Sequence, residues 1–257
     1  MQKMNSSIRA HHLKVIALMF VFLGGYATTA LSARAEKEYS EKEYIEKLQQ
    51  FNNNAQWHNA VSTTEKLLEH YSTSPQASLY LLEKAYAQYQ EGEFPAAAET
   101  ARRYEVLYPH EPHRDYARYL QALSCYQQSQ GFLLRHWGYR SEADDVNKLE
   151  ATQAVLEGFL QEYPTSVYFG DSHQMLTSVN HRLSQYHRRV AESYFGRRAY
   201  LAALSRLGNA LEVVNEHGEF RVILQQMHRI YKILNWHQEA DATQQILALN
   251  WAEKSRT

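Results

Sequence analysis

Apolar residues recur along most of the chain with the 3.6-residue period of an α-helix, and no stretch alternates as a strand does. The clearest stretch runs from Phe94 to Pro109, where Ala97, Ala101 and Tyr104 share one predicted helical face. Pro109 ends this helix, because proline cannot continue the backbone hydrogen bonding. Two small residues followed by a bulky ring predict a helix that packs closely against a neighbour.

The same arrangement occurs at three other places. Ala60, Ala97, Ala203 and Ala240 each follow an aromatic residue by three or four positions near the start of a predicted helix. Ala97 lies 37 residues after Ala60, and Ala240 lies 37 residues after Ala203. This spacing is close to the ~34 residues of a tetratricopeptide (TPR) repeat. The sequence therefore predicts an all-α, TPR-type helical solenoid of about five helix pairs.

Three segments add to this plan. The apolar segment Gln130–Asn147 lacks helical spacing, which predicts a long loop that either serves a function or folds back over the groove of the solenoid. Asp171 is the predicted N-cap of the longest helix, of about seven or eight turns. The last pair, Leu224–Ile233 and Trp236–Trp251, is predicted to pack around Ala240, Ile246 and Leu247 and to present a polar outer face as a terminal cap.

The first 35 residues have the pattern of an export signal. Lys3, Arg9 and Lys14 make a basic start, and the apolar run Val15–Gly25 is shorter than a membrane span. Ala33-Arg34-Ala35 then provides a small-residue cleavage site. We expect residues 36–257 to form the mature domain, with an uncleaved membrane anchor as the alternative.

Composition narrows the class of protein further. After residues 1–35, 23 Lys and Arg remain against 28 Asp and Glu, so a net charge of −5 gives no general attraction for nucleic acid. The only cysteine, Cys125, excludes an intrachain disulfide and is expected to be a small buried residue. Nineteen tyrosines suit a protein that packs rings between helices, or one that lines a groove with hydroxyl groups.

Thirteen histidines raise the question of a metal site. His110 and His113 are three residues apart, but Pro112 breaks the helix that would align them, and no third ligand is evident. No motif pairs a nucleophile with a base, and no glycine-rich loop could hold a nucleotide. We therefore expect no enzymatic activity, no cofactor and no bound metal.

Several short motifs carry a family resemblance that extends from about Tyr44 to Trp251. They are Tyr86-Ala87-Gln88-Tyr89 running into Phe94-Pro95-Ala96-Ala97, Gln130-Gly131-Phe132, Val190-Ala191-Glu192-Ser193-Tyr194, Arg198-Ala199-Tyr200 and Ser205-Arg206-Leu207. With them the chain resembles the BamD (ComL-like) family, the TPR subunit of the outer-membrane β-barrel assembly machinery. The resemblance implies a non-enzymatic periplasmic scaffold, peripheral at the inner face of the outer membrane.

The resemblance also implies two binding regions. The N-terminal repeats, residues 36–165, would hold unfolded outer-membrane proteins, and the C-terminal repeats, residues 166–257, would dock on the POTRA domain of the barrel subunit. Other assembly lipoproteins are further expected partners. The residues that the resemblance points to are Tyr71, Tyr86 and Tyr89 in the substrate-peptide groove, and Arg206, Tyr200 and Tyr194 at the partner contact.

Other interpretations of these residues remain open. The tyrosines could simply pack between helices, and Arg206 could be a solvated surface residue. Tyr26 stands where the family has its lipidated cysteine, and the turn Tyr71–Gln76 lacks two aromatics and a proline of the family pattern. A soluble periplasmic TPR adaptor for another cell-envelope complex is therefore the alternative function.

Overall fold

The computed structural model describes residues 39–130, 142–214 and 217–251. The expected export signal and most of the expected loop lie outside the described residues. Every regular element in the described ranges is an α-helix. These helices are α1 (Glu41–Asn53), α2 (Trp57–His70), α3 (Ala77–Glu91), α4 (Phe94–Leu107), α5 (Arg114–Ser129), α6 (Glu142–Glu162), α7 (Phe169–Gly196), α8 (Tyr200–Val213), α9 (His217–Ile233) and α10 (His237–Trp251).

Each helix packs against the next one along the chain, from α1 to α10. Further contacts join α3 to α5 and α5 to α7, which are the first helices of successive pairs. Pairs that stack mainly on their neighbours are the defining feature of a helical solenoid. The predicted all-α, TPR-type solenoid of five helix pairs is confirmed.

The turns inside four of the helix pairs share one backbone design. In each of them the residue two positions before the second helix has a positive φ, the left-handed conformation that commonly ends a helix. These residues are Ala55 (53°), Gly92 (90°), Arg198 (61°) and Asn235 (58°). The next amide donates to the carbonyl five residues earlier, as in Gln56 to Phe51 at 2.8 Å and Trp236 to Tyr231 at 2.9 Å. This geometry reverses the chain over a very short distance.

The recurring alanines of the sequence take their place from these turns. Ala60, Ala97, Ala203 and Ala240 each lie five residues after a left-handed residue and are at most 4% exposed. A side chain of one carbon lets two helix backbones approach closely without a clash. The predicted repeat position is therefore confirmed as a buried position in four pairs.

The turns between pairs are also repetitive. Tyr71, Tyr108 and Tyr163 are the residues directly after α2, α4 and α6, and each amide donates to the carbonyl four residues earlier, at 2.8 to 2.9 Å. The next pair begins at the same distance from each tyrosine, since α3, α5 and α7 all start six residues later. Tyr71 thus occupies a structural position that two other tyrosines share.

Two predictions about element ends were wrong. Asp171 is not the N-cap of α7, because the helix begins two residues earlier and Asp171 lies in its first turn. Residues 142–147 were assigned to the loop but belong to α6. Burial of Val146 and Leu149 explains the longer helix, because these two side chains pack into the central core and extend its inner face.

The prediction of a polar outer face for the last pair was also wrong. Only Ala240 and Thr243 are buried on α10, whereas Ile246 is 40% exposed and Leu249 is 81% exposed. No described helix follows α10, so these apolar side chains meet no further repeat.

Gly92 offers a direct test of the turn design. Replacing it with Ala should lower the free energy of unfolding by about 1 kcal/mol, because an L side chain disfavours the left-handed conformation. A Cβ atom at Gly92 would meet nothing within 4 Å, so a clash cannot contribute. Urea unfolding of both proteins measures the difference.

Gly170→Ala is the matched control, since its Cβ would also lie in open space and its φ is not positive. This variant should be as stable as the wild type or slightly more stable. Equal destabilisation by the two substitutions would contradict the assignment.

Candidate binding surfaces

Side-chain hydrogen bonds join the first helices of successive pairs into one layer. They are Tyr80 Oη to Glu41 (2.6 Å) and Asn52 to Glu83 (3.0 Å) between α1 and α3, Gln127 to Tyr89 (3.4 Å) between α3 and α5, and Tyr119 Oη to Asp171 (2.6 Å), Tyr126 Oη to Ser178 (3.2 Å) and Arg182 to the Ser129 carbonyl (2.6 Å) between α5 and α7. In solenoids such a layer forms the extended surface that binds partners. We call this set of bonds the inter-repeat ladder.

Tyrosine rings fill the space beneath the inter-repeat ladder. Tyr119 stacks on Tyr168 with ring centres 4.4 Å apart, while its hydroxyl group donates to Asp171. Burial, followed by the nearby carboxylate, raises the pKa of Tyr119 far above its usual value. Burial likewise raises the pKa of Tyr116. These hydroxyl groups stay protonated, so their role is packing and hydrogen bonding rather than acid–base chemistry.

The three tyrosines expected in the substrate groove occupy different environments. Tyr86 is 5% exposed and meets Trp57 edge-on with ring centres 5.7 Å apart, so it belongs to the core. Tyr89 is half-buried, with its ring 5.5 Å from that of Phe94 and its hydroxyl group accepting from Gln127. Tyr71 is half-buried in the turn before α3. Of the three, Tyr71 and Tyr89 keep surface that a peptide can reach.

The expected partner residues Tyr194 and Tyr200 lie at the turn between α7 and α8. The Arg197 guanidinium group lies 4.9 Å from the centre of the Tyr194 ring. The Tyr200 ring meets the Phe195 ring edge-on, with ring centres 5.6 Å apart. The guanidinium group of Arg229, on α9, lies 4.5 Å from the centre of the same Phe195 ring. This edge therefore combines aromatic rings with arginines. The sequence pattern pointed to neither Phe195 nor Arg229, because no local spacing reveals a contact across 34 residues.

Arg206 lies half-buried on α8. Burial, and then the positive charge of Arg206, lower the pKa of the buried His187 on α7. Within the described residues no carboxylate forms an ion pair with Arg206. A half-buried guanidinium group without a carboxylate is well suited to bind an acidic residue of another protein.

Two concave features accompany these residues at the C-terminal end. A small cavity of about 60 Å³ lies where Phe195, Leu207 and Ile230 meet, with Gln226 Oε1 buried beside it and unbonded to any described residue. A groove of about 310 Å³ runs between α9 and α10 and is lined by His228, Leu247 and Trp251 among others. The end of the solenoid thus offers apolar surface and unpaired polar groups together.

The histidines considered for metal binding lie in the turn between α4 and α5. His110 is exposed, and His113 is half-buried as the residue before α5, where burial lowers its pKa. Across residues 39–130, 142–214 and 217–251, no three His, Cys, Asp or Glu side chains are grouped closely enough to hold a metal. In the same part of the chain, no helix is both long and apolar enough to span a bilayer.

The stacked helix pairs and the inter-repeat ladder define the class of protein, a TPR-type solenoid that presents binding surfaces. The chain belongs to the YfiO family of outer membrane lipoproteins, whose model matches residues 37–246. Outer membrane protein assembly factor BamD of Neisseria gonorrhoeae is 29% identical over 231 residues, covering 87% of this chain and 84% of that protein. BamD of Xylella fastidiosa strain 9a5c is 24% identical, covering 93% and 82%.

Solved structures give more distant likenesses. A thermophilic TPR protein of Thermus thermophilus aligns with a TM-score of 0.36 at 15% identity, covering 83% of this chain and 93% of that one. MamA of Desulfovibrio magneticus aligns with a TM-score of 0.36 at 12% identity, covering 84% and 96%.

The inter-repeat ladder can be tested through the 2.6 Å bond from Tyr119 to Asp171, between α5 and α7. Tyr119→Phe should lower the free energy of unfolding by about 1–2 kcal/mol, because it removes a buried hydroxyl group that donates to a carboxylate. Tyr126→Phe is the control, since it removes a longer bond to the neutral Ser178 hydroxyl group and should cost less than about 1 kcal/mol. Urea unfolding at neutral pH gives both values. If both variants lose the same free energy of unfolding, the bond to the Asp171 carboxylate is no stronger than the bond to the Ser178 hydroxyl group.

Proposed function

We propose that this protein is a non-enzymatic scaffold in the assembly of outer membrane proteins. The observation that carries the proposal is membership of the YfiO family over nearly all of the described chain, together with relatives that are named outer membrane protein assembly factors. On this proposal it works in the periplasm, at the inner face of the outer membrane. Its N-terminal repeats bind unfolded β-barrel proteins, and its C-terminal repeats dock on the POTRA domain of the barrel subunit.

Charge supports a division of labour between the two sets of repeats. Residues 36–165 contain 12 Lys and Arg against 20 Asp and Glu, whereas residues 166–257 contain 11 against 8. The net charges are therefore −8 and +3. A basic end that holds Arg206, which forms no ion pair with a described carboxylate, favours an acidic partner surface, since complementary charge steers association. The apolar side chains on α10 supply the desolvated contact that charge alone does not provide.

Side-chain environment supports a peptide site in the N-terminal repeats. Tyr71 and Tyr89 each combine a ring with a hydroxyl group near the surface, which suits an amphipathic strand that carries aromatic residues. Tyr86 supports that site from the core, through its contact with Trp57. Affinity for an unfolded client is expected to be modest, because ordering a disordered segment costs about 2–5 kcal/mol.

Co-purification tests the partner half of the proposal. The tagged protein should capture a POTRA-bearing barrel subunit from the envelope of its own host, and Arg206→Glu should reduce that capture strongly by replacing an attraction with a like-charge repulsion. Arg103→Glu, an exposed arginine on α4, is the matched control and should leave capture unchanged. If the wild type captures another envelope complex and no barrel subunit, the adaptor alternative replaces the scaffold. If Arg206→Glu captures the barrel subunit as well as the wild type does, the docking surface lies elsewhere.

Peptide binding tests the client half, using the repeated turn position as an internal comparison. Tyr71→Ala and Tyr163→Ala remove the same type of side chain from equivalent turns, so their effects on folding should be similar. Only Tyr71→Ala should weaken binding of a peptide that ends in an aromatic β-strand sequence, by about 1–2 kcal/mol or roughly tenfold. Fluorescence anisotropy with a labelled peptide measures this. Equal weakening by both variants would assign Tyr71 to packing alone.

A further inference from the structure

A carboxyl group is buried where α1 meets α3. Glu83 on α3 is 5% exposed, and its Oε2 accepts a hydrogen bond of 3.0 Å from the amide of Asn52 on α1. Burial raises the pKa of this carboxyl group to about 7, and the bond from Asn52 lowers it by a smaller amount. No cation of the described residues opposes the effect of burial.

The amide of Asn52 is only half satisfied in this arrangement. Its Oδ1 is buried and has no hydrogen-bond partner among the described residues. A carboxylate has no proton to give that oxygen, whereas a carboxylic acid carries one O–H group. A protonated Glu83 can accept from the Asn52 amide nitrogen and donate to its oxygen, which satisfies both groups together.

The elements packed around α3 present their own polar groups, and these have other partners or are neutral. They are Glu41 on α1, which accepts from Tyr80 (2.6 Å), Glu65 on α2, which pairs with Lys84 (2.8 Å), Thr100 on α4, which donates to Gln88 (2.7 Å), and the buried Tyr116 on α5, whose pKa is raised by burial. Tyr116 interacts electrostatically with Glu83, and because its hydroxyl group stays protonated it is neutral and adds no charge beside the carboxyl group.

We propose that Glu83 and Asn52 form a proton-dependent latch that holds α1 against the rest of the solenoid. With the proton in place, the acid–amide pair is complete and α1 stays docked. When the proton leaves, a buried anion keeps a single donor, and opening of α1 lets that anion reach water. Because α1 is the first helix of the described solenoid and packs on α2, it can open without separating the later pairs. The latch does not depend on the proposed function.

The sign of the pH dependence follows from the two pKa values. The carboxyl pKa is about 7 when α1 is docked and 4.5 when Glu83 is exposed to water. The protonated carboxyl group stabilises the docked position of α1 fully below pH 4.5, and this stabilisation is lost as the pH rises through about 7. The equilibrium constant for opening of α1 should therefore rise about tenfold between about pH 6 and about pH 8.5.

Hydrogen–deuterium exchange of the full chain tests the latch, after correction for the intrinsic pH dependence of amide exchange. Peptides from α1 should lose about tenfold in protection between about pH 6 and about pH 8.5, while peptides from α5 change little. Glu83→Gln should abolish this change, because a neutral amide has no proton to lose in this range. Glu46→Gln, at an exposed carboxylate on α1, should keep the wild-type profile.

Two results would overturn the proposal. One is a wild-type protection of α1 that does not vary with pH after correction. The other is a Glu83→Gln protein that retains the wild-type pH dependence. If Glu83→Gln does not fold, the wild-type profile still decides, since the loss of protection must level off above about pH 7, the pKa of the docked carboxyl group, and must be confined to the first pair.

Discussion

The close approach of two helix backbones at a buried alanine is the constraint on which the rest of the solenoid depends. In four pairs the left-handed residue of the turn lies two positions before the second helix, and the alanine five residues after it is buried. A larger side chain at Ala60 or Ala203 would force the backbones apart, since packed interiors resist added volume. Once the spacing within the pair is set, the surfaces that meet the next pair are set as well.

Tyrosine resolves a conflict that this close packing creates. First helices need bulky side chains to fill the space between pairs, yet the inter-repeat ladder requires polar groups at the same positions. Tyr80 and Tyr119 do both, because each ring is buried while its hydroxyl group bonds to a carboxylate of a neighbouring pair. At these two positions, packing of rings between helices and presentation of hydroxyl groups are served by the same side chain, so the two explanations for the many tyrosines do not compete. Rings that pack between helices also carry the hydroxyl groups of the presented layer.

Local pattern was enough to predict the helix pairs, since helical period, small residues and aromatic positions are all visible within a few residues of each other. It failed where a distant contact decides the outcome. Asp171 looks like a cap in isolation, but the hydroxyl group of Tyr119, 52 residues away, holds it inside the first turn of α7. The start of α6 is decided by the core that receives Val146 and Leu149. The packing of Arg229 on Phe195 is likewise invisible until α7 and α9 are brought together.

The candidate site was predictable in part for the same reason. Motifs singled out Tyr194 and Tyr200, which the structure places at the turn between α7 and α8, yet they could not show that Tyr86 lies in the core. A core tyrosine and a groove tyrosine share the same helical period, and only the position of Trp57 separates them. The charge of Arg206 was visible, but its lack of a described ion-pair partner was not.

The first and last described helices differ in how they are held and in how much apolar surface they bury. At the first pair, α1 covers apolar surface and is held by bonds that involve the carboxyl groups of Glu41 and Glu83. At the last pair, α10 buries little and leaves Leu249 and Ile246 in water. Exposed apolar area costs about 25 cal/mol per Å², so a surface of this kind is stabilised when another molecule covers it. The first end is therefore suited to open and close, and the last end is suited to stay covered by a partner.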